Sequence, residues 1–161
     1  MAKRTIAMIP NQTIGHFTLT ATGMEVDERH GKPSFGEYEG VGDFIKRAHQ
    51  ASGFWLADYL AYGESRSDWQ EKISQAHDVT GLSEGRLKNI RTTAKIAPAR
   101  RRDDVEFALH TVVASMTPEQ QSHWLEQAAV EGWSEAELRQ EIRAAKRRQT
   151  VEGRAALDGM Y

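Results

Sequence analysis

From residue 34 onward the sequence alternates helix starts with helix stops, and this alternation constrains the fold more than any other feature. Most starts are a Ser or Thr followed three residues later by Glu or Gln, a capping box whose side chains satisfy N–H groups of the first helical turn. The stops are Gly or Pro, which end helices. The capping boxes are Ser34 with Glu37, Ser67 with Gln70, Thr117 with Gln120, and Ser134 with Glu137. The sequence therefore predicts a chain of short helices.

Apolar residues recur at helical spacing between these signals, and they place the predicted helices. Helices are expected at about 35–51, from Trp55 to Gly63, from Ser67 to Thr80, from Ser83 to Pro98, at about 104–115, from Thr117 to Gly132, and from Ser134 to about 149. Ser52 and Gly53 are expected to separate the first two. The second helix carries Trp55, Tyr59 and Tyr62 along one face, which we expect to lie in the core because aromatic side chains bury large apolar areas.

The residues before the first capping box show no helical period. Residues 17–21 and 24–27 alternate weakly between apolar and polar types, which predicts a short strand or hairpin. The expected fold class is therefore mainly α, a multi-helix domain with a short N-terminal strand or hairpin segment. We expect an extended or hairpin segment at 1–33, a helical domain at 34–149, and a flexible tail at 150–161, which contains two glycines and little periodicity.

The composition excludes several classes of protein. Without cysteine the chain has no disulfide, thiol nucleophile or iron–sulfur cluster. No apolar run approaches the roughly 18 residues that cross a bilayer, and the N-terminus lacks a secretory apolar region, so we expect a cytoplasmic protein without a membrane partner. The histidines lie far apart in the sequence, and no phosphate-binding loop or nucleophile motif occurs. We therefore expect neither an enzyme, nor a cofactor, nor a metal site.

Charge is unevenly distributed along the chain, although the net charge is only −2 at pH 7. Residues 85–102 contain seven Lys or Arg and no Asp or Glu, whereas residues 103–141 contain nine Asp or Glu and one Arg. A basic segment without interleaved acids cannot form i,i+4 ion pairs within itself. We therefore expect an anionic partner to relieve its repulsion. The sequence turns basic again at Arg143, Lys146, Arg147 and Arg148.

Residues 69–97 have the features of a helix-turn-helix, whose second helix enters the major groove of DNA. Ala76 is small where the helices cross, Gly81 lies in the turn one residue later than in the commonest arrangement, and Ser83 caps the second helix. The residues expected to contact bases are Ser83, Gly85, Arg86, Lys88, Asn89 and Thr92. The residues expected to contact phosphates are Arg91, Lys95, Arg100, Arg101, Arg102, Arg143 and Arg147.

Four stretches carry a family resemblance: QAHDVTGLSEGRLKNI at 75–90, FALHTVVASM at 107–116, PEQQ at 118–121, and EGWSEAEL at 131–138. They resemble the DNA-binding domain of the ParB/KorB partition family and of related plasmid and phage regulators. The resemblance covers roughly residues 55–149. It implies a helix-turn-helix, then a helix bearing a histidine, then two helices that support it on the operator. Ser83, Gly85, Arg86, Lys88 and Asn89 fall on the recognition helix of that family.

The resemblance also bears on His110, which falls on the histidine of the family and is expected to be a packing or phosphate-facing residue. The nucleotide-binding domain of larger family members has no match in residues 1–54. Nucleotide binding is therefore not expected.

Two classes of function follow from these patterns. The favoured one is sequence-specific binding of double-stranded DNA by a homodimer, as a transcriptional regulator or a partition-type centromere binder. The N-terminal region and the last helix are the candidate dimer surfaces. The alternative is a non-enzymatic adaptor whose acidic segment, residues 103–141, binds a basic protein. RNA binding is less favoured because the aromatic residues are expected to be buried.

Overall fold

The computed structural model describes residues 11–66 and 73–158. It confirms a mainly α fold with a small antiparallel sheet near the N-terminus. The chain divides into two compact units, residues 1–49 and 50–161, which we describe separately. The described elements are β1 (Gln12–Ile14), β2 (Phe17–Leu19), β3 (Met24–Val26), α1 (Phe35–Ser65), α2 (Ile73–Thr80), α3 (Glu84–Thr92), α4 (Phe107–Val113), α5 (Pro118–Glu131) and α6 (Glu135–Asp158). Two 3-10 helices, Thr93–Lys95 and Pro98–Arg100, lie between α3 and α4.

The first unit contains a three-stranded antiparallel sheet in the order β1-β2-β3. The strands β2 and β3 fall within the two segments that alternate between apolar and polar types, and β1 lies within the extended or hairpin segment expected at 1–33. Gly15, at a φ of 55°, forms the turn between β1 and β2 because a left-handed backbone favours glycine. Phe17 is buried, and its ring centroid lies 6.3 Å from that of Tyr38 in α1. The predicted capping box is confirmed, since the Ser34 N–H donates to the Glu37 carboxylate at 2.8 Å.

The predicted helix break at Ser52 and Gly53 is wrong, because α1 continues through both residues. Gly53 has a packing function instead. A Cβ atom at this position would lie 2.8 Å from the ring of Phe107 in α4, so only glycine permits this approach. The glycine is therefore a contact point within the second unit and not a helix stop.

The prediction that Trp55, Tyr59 and Tyr62 form a core face is also wrong. These side chains are 67%, 49% and 55% exposed. The buried residues of this part of α1 are Ala57 and Leu60, at 0% and 4% exposure. Small and aliphatic side chains take the inward face because they let neighbouring helices approach closely, and the aromatic residues are left on another face.

The second unit contains two apolar clusters. The first joins α1, α2 and α3 through Leu60, Ala76 and Leu87, which are at most 4% exposed, with Leu56, Leu82 and Ile90 packed around them. Ala76 therefore lies at the helix crossing, as predicted. Trp69 and the capping box of Ser67 and Gln70 lie outside the described residues.

The second cluster joins α4, α5 and α6. Its fully buried members include Val113, Leu125 and Leu138. The capping box at Thr117 and Gln120 is confirmed, and Gly132 ends α5 in a left-handed conformation at a φ of 65°. The last helix continues to Asp158, past the predicted end near residue 149. Residues 150–154 of this extension are exposed, so the helix continues there without burial of these side chains.

Within residues 11–66 and 73–158, no helix is long and apolar enough to cross a bilayer. No group of three metal-ligating side chains comes together in that same part of the chain.

Candidate nucleic-acid interface

The turn between α2 and α3 is held by hydrogen bonds that its own residues make. Gly81 has a φ of 70°, and its N–H donates to the His77 carbonyl at 2.8 Å, which ends α2 with a left-handed residue. The Thr80 hydroxyl donates to the Ala76 carbonyl at 2.7 Å and accepts from the Leu82 N–H at 3.3 Å. His77 Nδ1 lies 2.7 Å from the Leu82 carbonyl, to which it can only donate. The path of the chain into α3 is therefore fixed.

The start of α3 is capped as the sequence predicts. Ser83 has extended backbone angles, and its hydroxyl accepts from the Arg86 N–H at 3.3 Å. Leu87 is 0% exposed and Ile90 packs beside it, so this helix face points toward α1 and α2. The remaining positions of the first two turns therefore face away from the cluster.

The outward face of α3 carries the residues predicted to contact bases. Thr92 is partly buried. The other five are exposed: Ser83, Gly85, Arg86, Lys88 and Asn89. A Cβ atom at Gly85 would meet no heavy atom within 4 Å, so the backbone is open to solvent there. The side chains of Arg86 and Asn89 make no ion pair or hydrogen bond with any residue that the structure describes. The two residues are three positions apart in α3, so their side chains are neighbours on one face of the helix.

Two other side chains of this face are engaged within the chain. Lys88 Nζ lies 4.0 Å from the Glu84 carboxylate, an exposed i,i+4 ion pair. The Thr92 hydroxyl donates to the Lys88 carbonyl at 2.9 Å. An exposed pair of this kind stabilises the helix weakly, so Lys88 remains accessible to a stronger anion.

Three of the residues predicted to contact phosphates bind carboxylates of the chain. Arg91 binds both oxygens of Glu64 in α1, at 2.6 and 2.8 Å. Arg102 binds both oxygens of Asp104, at 2.9 and 2.8 Å, which lowers the pKa of that carboxyl. Arg101 forms a similar pair with Asp58. By contrast, Lys95 is exposed and has no ion-pair partner among the described residues.

Arg101 is held from three sides. Its guanidinium binds both oxygens of Asp58 in α1, at 2.7 and 2.8 Å, and this contact lowers the pKa of the Asp58 carboxyl. Its Nε donates to the Ile96 carbonyl at 3.0 Å. The guanidinium carbon also lies 5.3 Å from the ring centroid of Phe54. With a side chain only 11% exposed, Arg101 links α1 to the loop before α4 and offers little surface to a phosphate.

Arg100 and His110 are also engaged inside the second unit. Arg100 Nε donates to the amide oxygen of buried Gln121 at 3.1 Å. His110 is 0% exposed, and its Nε2 accepts from the Arg102 N–H at 3.0 Å. Its Nδ1 lies 3.1 Å from the Glu106 carbonyl, to which it donates. Burial lowers the pKa of His110, so the ring is neutral and packs in the core where no phosphate reaches it.

Arg143 and Arg147 lie on the exposed surface of α6. Arg143 Nε donates to the Arg139 carbonyl at 3.1 Å. Both residues therefore lie on a different helix from the residues predicted to contact bases.

The structure corrects the expectation that only an external anion relieves the basic segment. Asp58, Glu64 and Asp104 neutralise three of its arginines. Two of these acids lie in α1, far away in the sequence, where local composition gave no signal of the pairing. Arg86 differs from these three arginines, because its guanidinium faces solvent without a carboxylate partner in the described part of the chain.

The chain is similar to a curated protein that is named a transcriptional regulator. No protein-family model matches the chain, and no solved structure matches it significantly. A curated protein named transcriptional regulator NovE, from Streptomyces niveus, is 34% identical over 106 residues. The match covers 65% of this chain and 48% of that protein. The chain therefore spans about half the length of the curated relative that it matches.

Proposed function

We propose that this chain binds double-stranded DNA in a sequence-specific manner and regulates transcription, with α2, the turn and α3 acting as a helix-turn-helix. The observation that carries the proposal is the pair Arg86 and Asn89. Both side chains are exposed at the start of α3 and are unengaged by the described residues. The first turns of a recognition helix are the part that meets base edges.

The chemistry of this face suits the major groove. Arginine can bind guanine O6 and N7 with two hydrogen bonds, and asparagine can bind adenine N6 and N7 in the same way. Gly85 lets the backbone come close to the bases, and the open space around it supports this role. Ser83, Lys88 and Thr92 complete the proposed base-facing set.

Phosphate contacts would position the helix without reading sequence. Lys95 is the strongest candidate because it is exposed and follows α3 directly. Three further candidates, Arg91, Arg100 and Arg102, would first have to exchange or share an internal contact. The last two candidates, Arg143 and Arg147, would act from α6. Arg101 and His110 are left out of the proposed interface because the chain already uses or buries them.

The name of the relative favours a regulatory role over plasmid partition, since NovE is named a transcriptional regulator. The resemblance to the ParB/KorB DNA-binding domain supports the helix-turn-helix itself. We further propose a homodimer, because one helix-turn-helix seldom supplies enough specificity and dimers read paired half-sites.

The test is in vitro selection of bound duplexes from a random pool, followed by titration of the selected site. Arg86→Ala and Asn89→Ala should each weaken binding to that site by about 1–3 kcal/mol. Asn89→Ala should leave binding to unrelated duplexes unchanged because the side chain is neutral. The control is the double variant Arg139→Ala/Gln140→Ala, which removes an arginine and an amide side chain from the exposed surface of α6, where Arg139 makes only an exposed i,i+4 ion pair with Glu135.

Two results would contradict the proposal. One is a selection that enriches no sequence, and the other is full affinity of the Arg86→Ala/Asn89→Ala variant for an enriched site. A pool of RNA hairpins run in parallel would reveal RNA as the preferred ligand. Capture of basic proteins that depends on the acidic segment, together with no enriched duplex, would favour the adaptor.

A further inference from the structure

The second unit has a groove along α5 and α6, distant in sequence from the proposed recognition helix. Its volume is about 650 Å³. Trp124 and Trp133 form an aromatic wall, with ring centroids 6.5 Å apart and planes inclined at 40°. The ring of His123 meets Trp124 edge-on at 5.1 Å. Both indoles also pack against the cluster of α4, α5 and α6, which fixes their orientation.

The rest of the groove combines apolar residues such as Met116 and Ile142 with polar ones, and its charged residues are two cations and one acid. Lys146 and Arg148 line it from α6, and neither has an ion-pair partner among the described residues. Glu141 also lines it, but this acid precedes Arg148 by seven residues, roughly 10 Å along a helix that rises about 1.5 Å per residue. The amides of Gln120 and Gln127 add hydrogen-bonding groups to the lining.

We propose that this groove binds a small planar aromatic carboxylate, a function beyond the DNA binding proposed above and independent of it. The aromatic ring would lie against Trp124 and Trp133, since aromatic rings attract one another in offset and tilted geometries. The carboxylate would pair with Lys146 and Arg148, which otherwise face solvent. The volume fits a single small molecule, because pockets for such ligands measure roughly 300–1,000 Å³.

The experiment uses the full chain labelled with nitrogen-15 and follows the indole N–H signals by NMR. Trp124→Phe and Trp133→Phe variants assign the two groove signals. The probe is 2-naphthoate, and the matched neutral probe is 2-naphthamide. We expect 2-naphthoate to shift both groove signals saturably with a Kd of about 1 mM or lower, and the amide to bind about fivefold more weakly.

Charge variants separate the proposed site from general stickiness. Lys146→Gln/Arg148→Gln should weaken 2-naphthoate about fivefold and leave 2-naphthamide unchanged. Arg154→Gln, an exposed arginine on α6 outside the groove, should change neither. Equal affinity for the acid and the amide would overturn the proposal, as would shifts that are unsaturable or absent from the Trp124 and Trp133 signals. DNA titrations are not part of this readout, so a failure here is distinguishable from a failure of the helix-turn-helix.

Discussion

Replacing Arg101 with alanine should destabilise the fold, because the structure uses this arginine as an internal link. The ion pair with half-exposed Asp58 contributes up to about 1 kcal/mol. The hydrogen bond to the Ile96 carbonyl adds about 1 kcal/mol, and the contact with the Phe54 ring adds a similar amount. Allowing for non-additivity among neighbours, Arg101→Ala should lower the free energy of unfolding by about 2–3 kcal/mol.

The assay is urea unfolding followed by circular dichroism, with thermal unfolding in parallel. Arg154→Ala is the matched control, since Arg154 is exposed and unpaired in the described part of the chain, and it should stay within about 0.5 kcal/mol of the unsubstituted protein. A double-mutant cycle of Arg101→Ala with Asp58→Ala should give a coupling of about 0.5–1 kcal/mol.

The Arg101→Ala variant also shows whether Arg101 stabilises the fold or contacts a DNA phosphate. An Arg101→Ala protein as stable as the Arg154→Ala control, with uniformly weaker DNA binding and a smaller salt slope, would refute the structural argument. A stability loss of the stated size with unchanged affinity of the folded fraction would support it.

Two further predictions concern packing and pH. Gly53→Ala should destabilise the protein by about 1–3 kcal/mol because its Cβ meets the Phe107 ring, and Phe107→Leu should recover part of the loss in urea unfolding. Burial lowers the pKa of His110 below its ordinary value of 6.5, so the unfolded chain binds more protons and stability should fall as pH drops below about 6.5. His110→Gln should flatten this slope below about pH 6.5, and an unchanged slope would contradict the assignment.

Much of the helical framework could be predicted because its signals are local. The capping boxes at Ser34, Thr117 and Ser134 depend on residues three positions apart, and all three form as predicted. The wrong predictions concern features that depend on tertiary contacts. From sequence alone Gly53 indicates a helix break, because its contact with the Phe107 ring is a tertiary one. In the same way Trp55 is predicted to lie in the core, although Ala57 and Leu60 are the buried residues.

The predicted site shows the same division between local and tertiary information. The capped start of α3 and its outward face could be predicted from spacing alone, since Leu87 fixes which side points inward. The fate of the basic residues could not, because Asp58 and Glu64 reach them from α1. Had all of these cations stayed unpaired, they would have favoured any phosphate backbone, whatever its sequence.

Under the proposed function, the carboxylates of α1 would favour binding to a particular sequence over binding to any phosphate backbone. Pairing removes Arg101 from the surface and gives Arg91 an internal competitor. Under the proposed function, phosphate contacts would therefore contribute less to the affinity than the composition indicates. Arg86 and Asn89 are untouched by this pairing, and these are the side chains that would distinguish one base pair from another. Under the proposed function, the ion pair of Glu64 in α1 with Arg91 in α3 would therefore also lower binding to unrelated DNA relative to an operator.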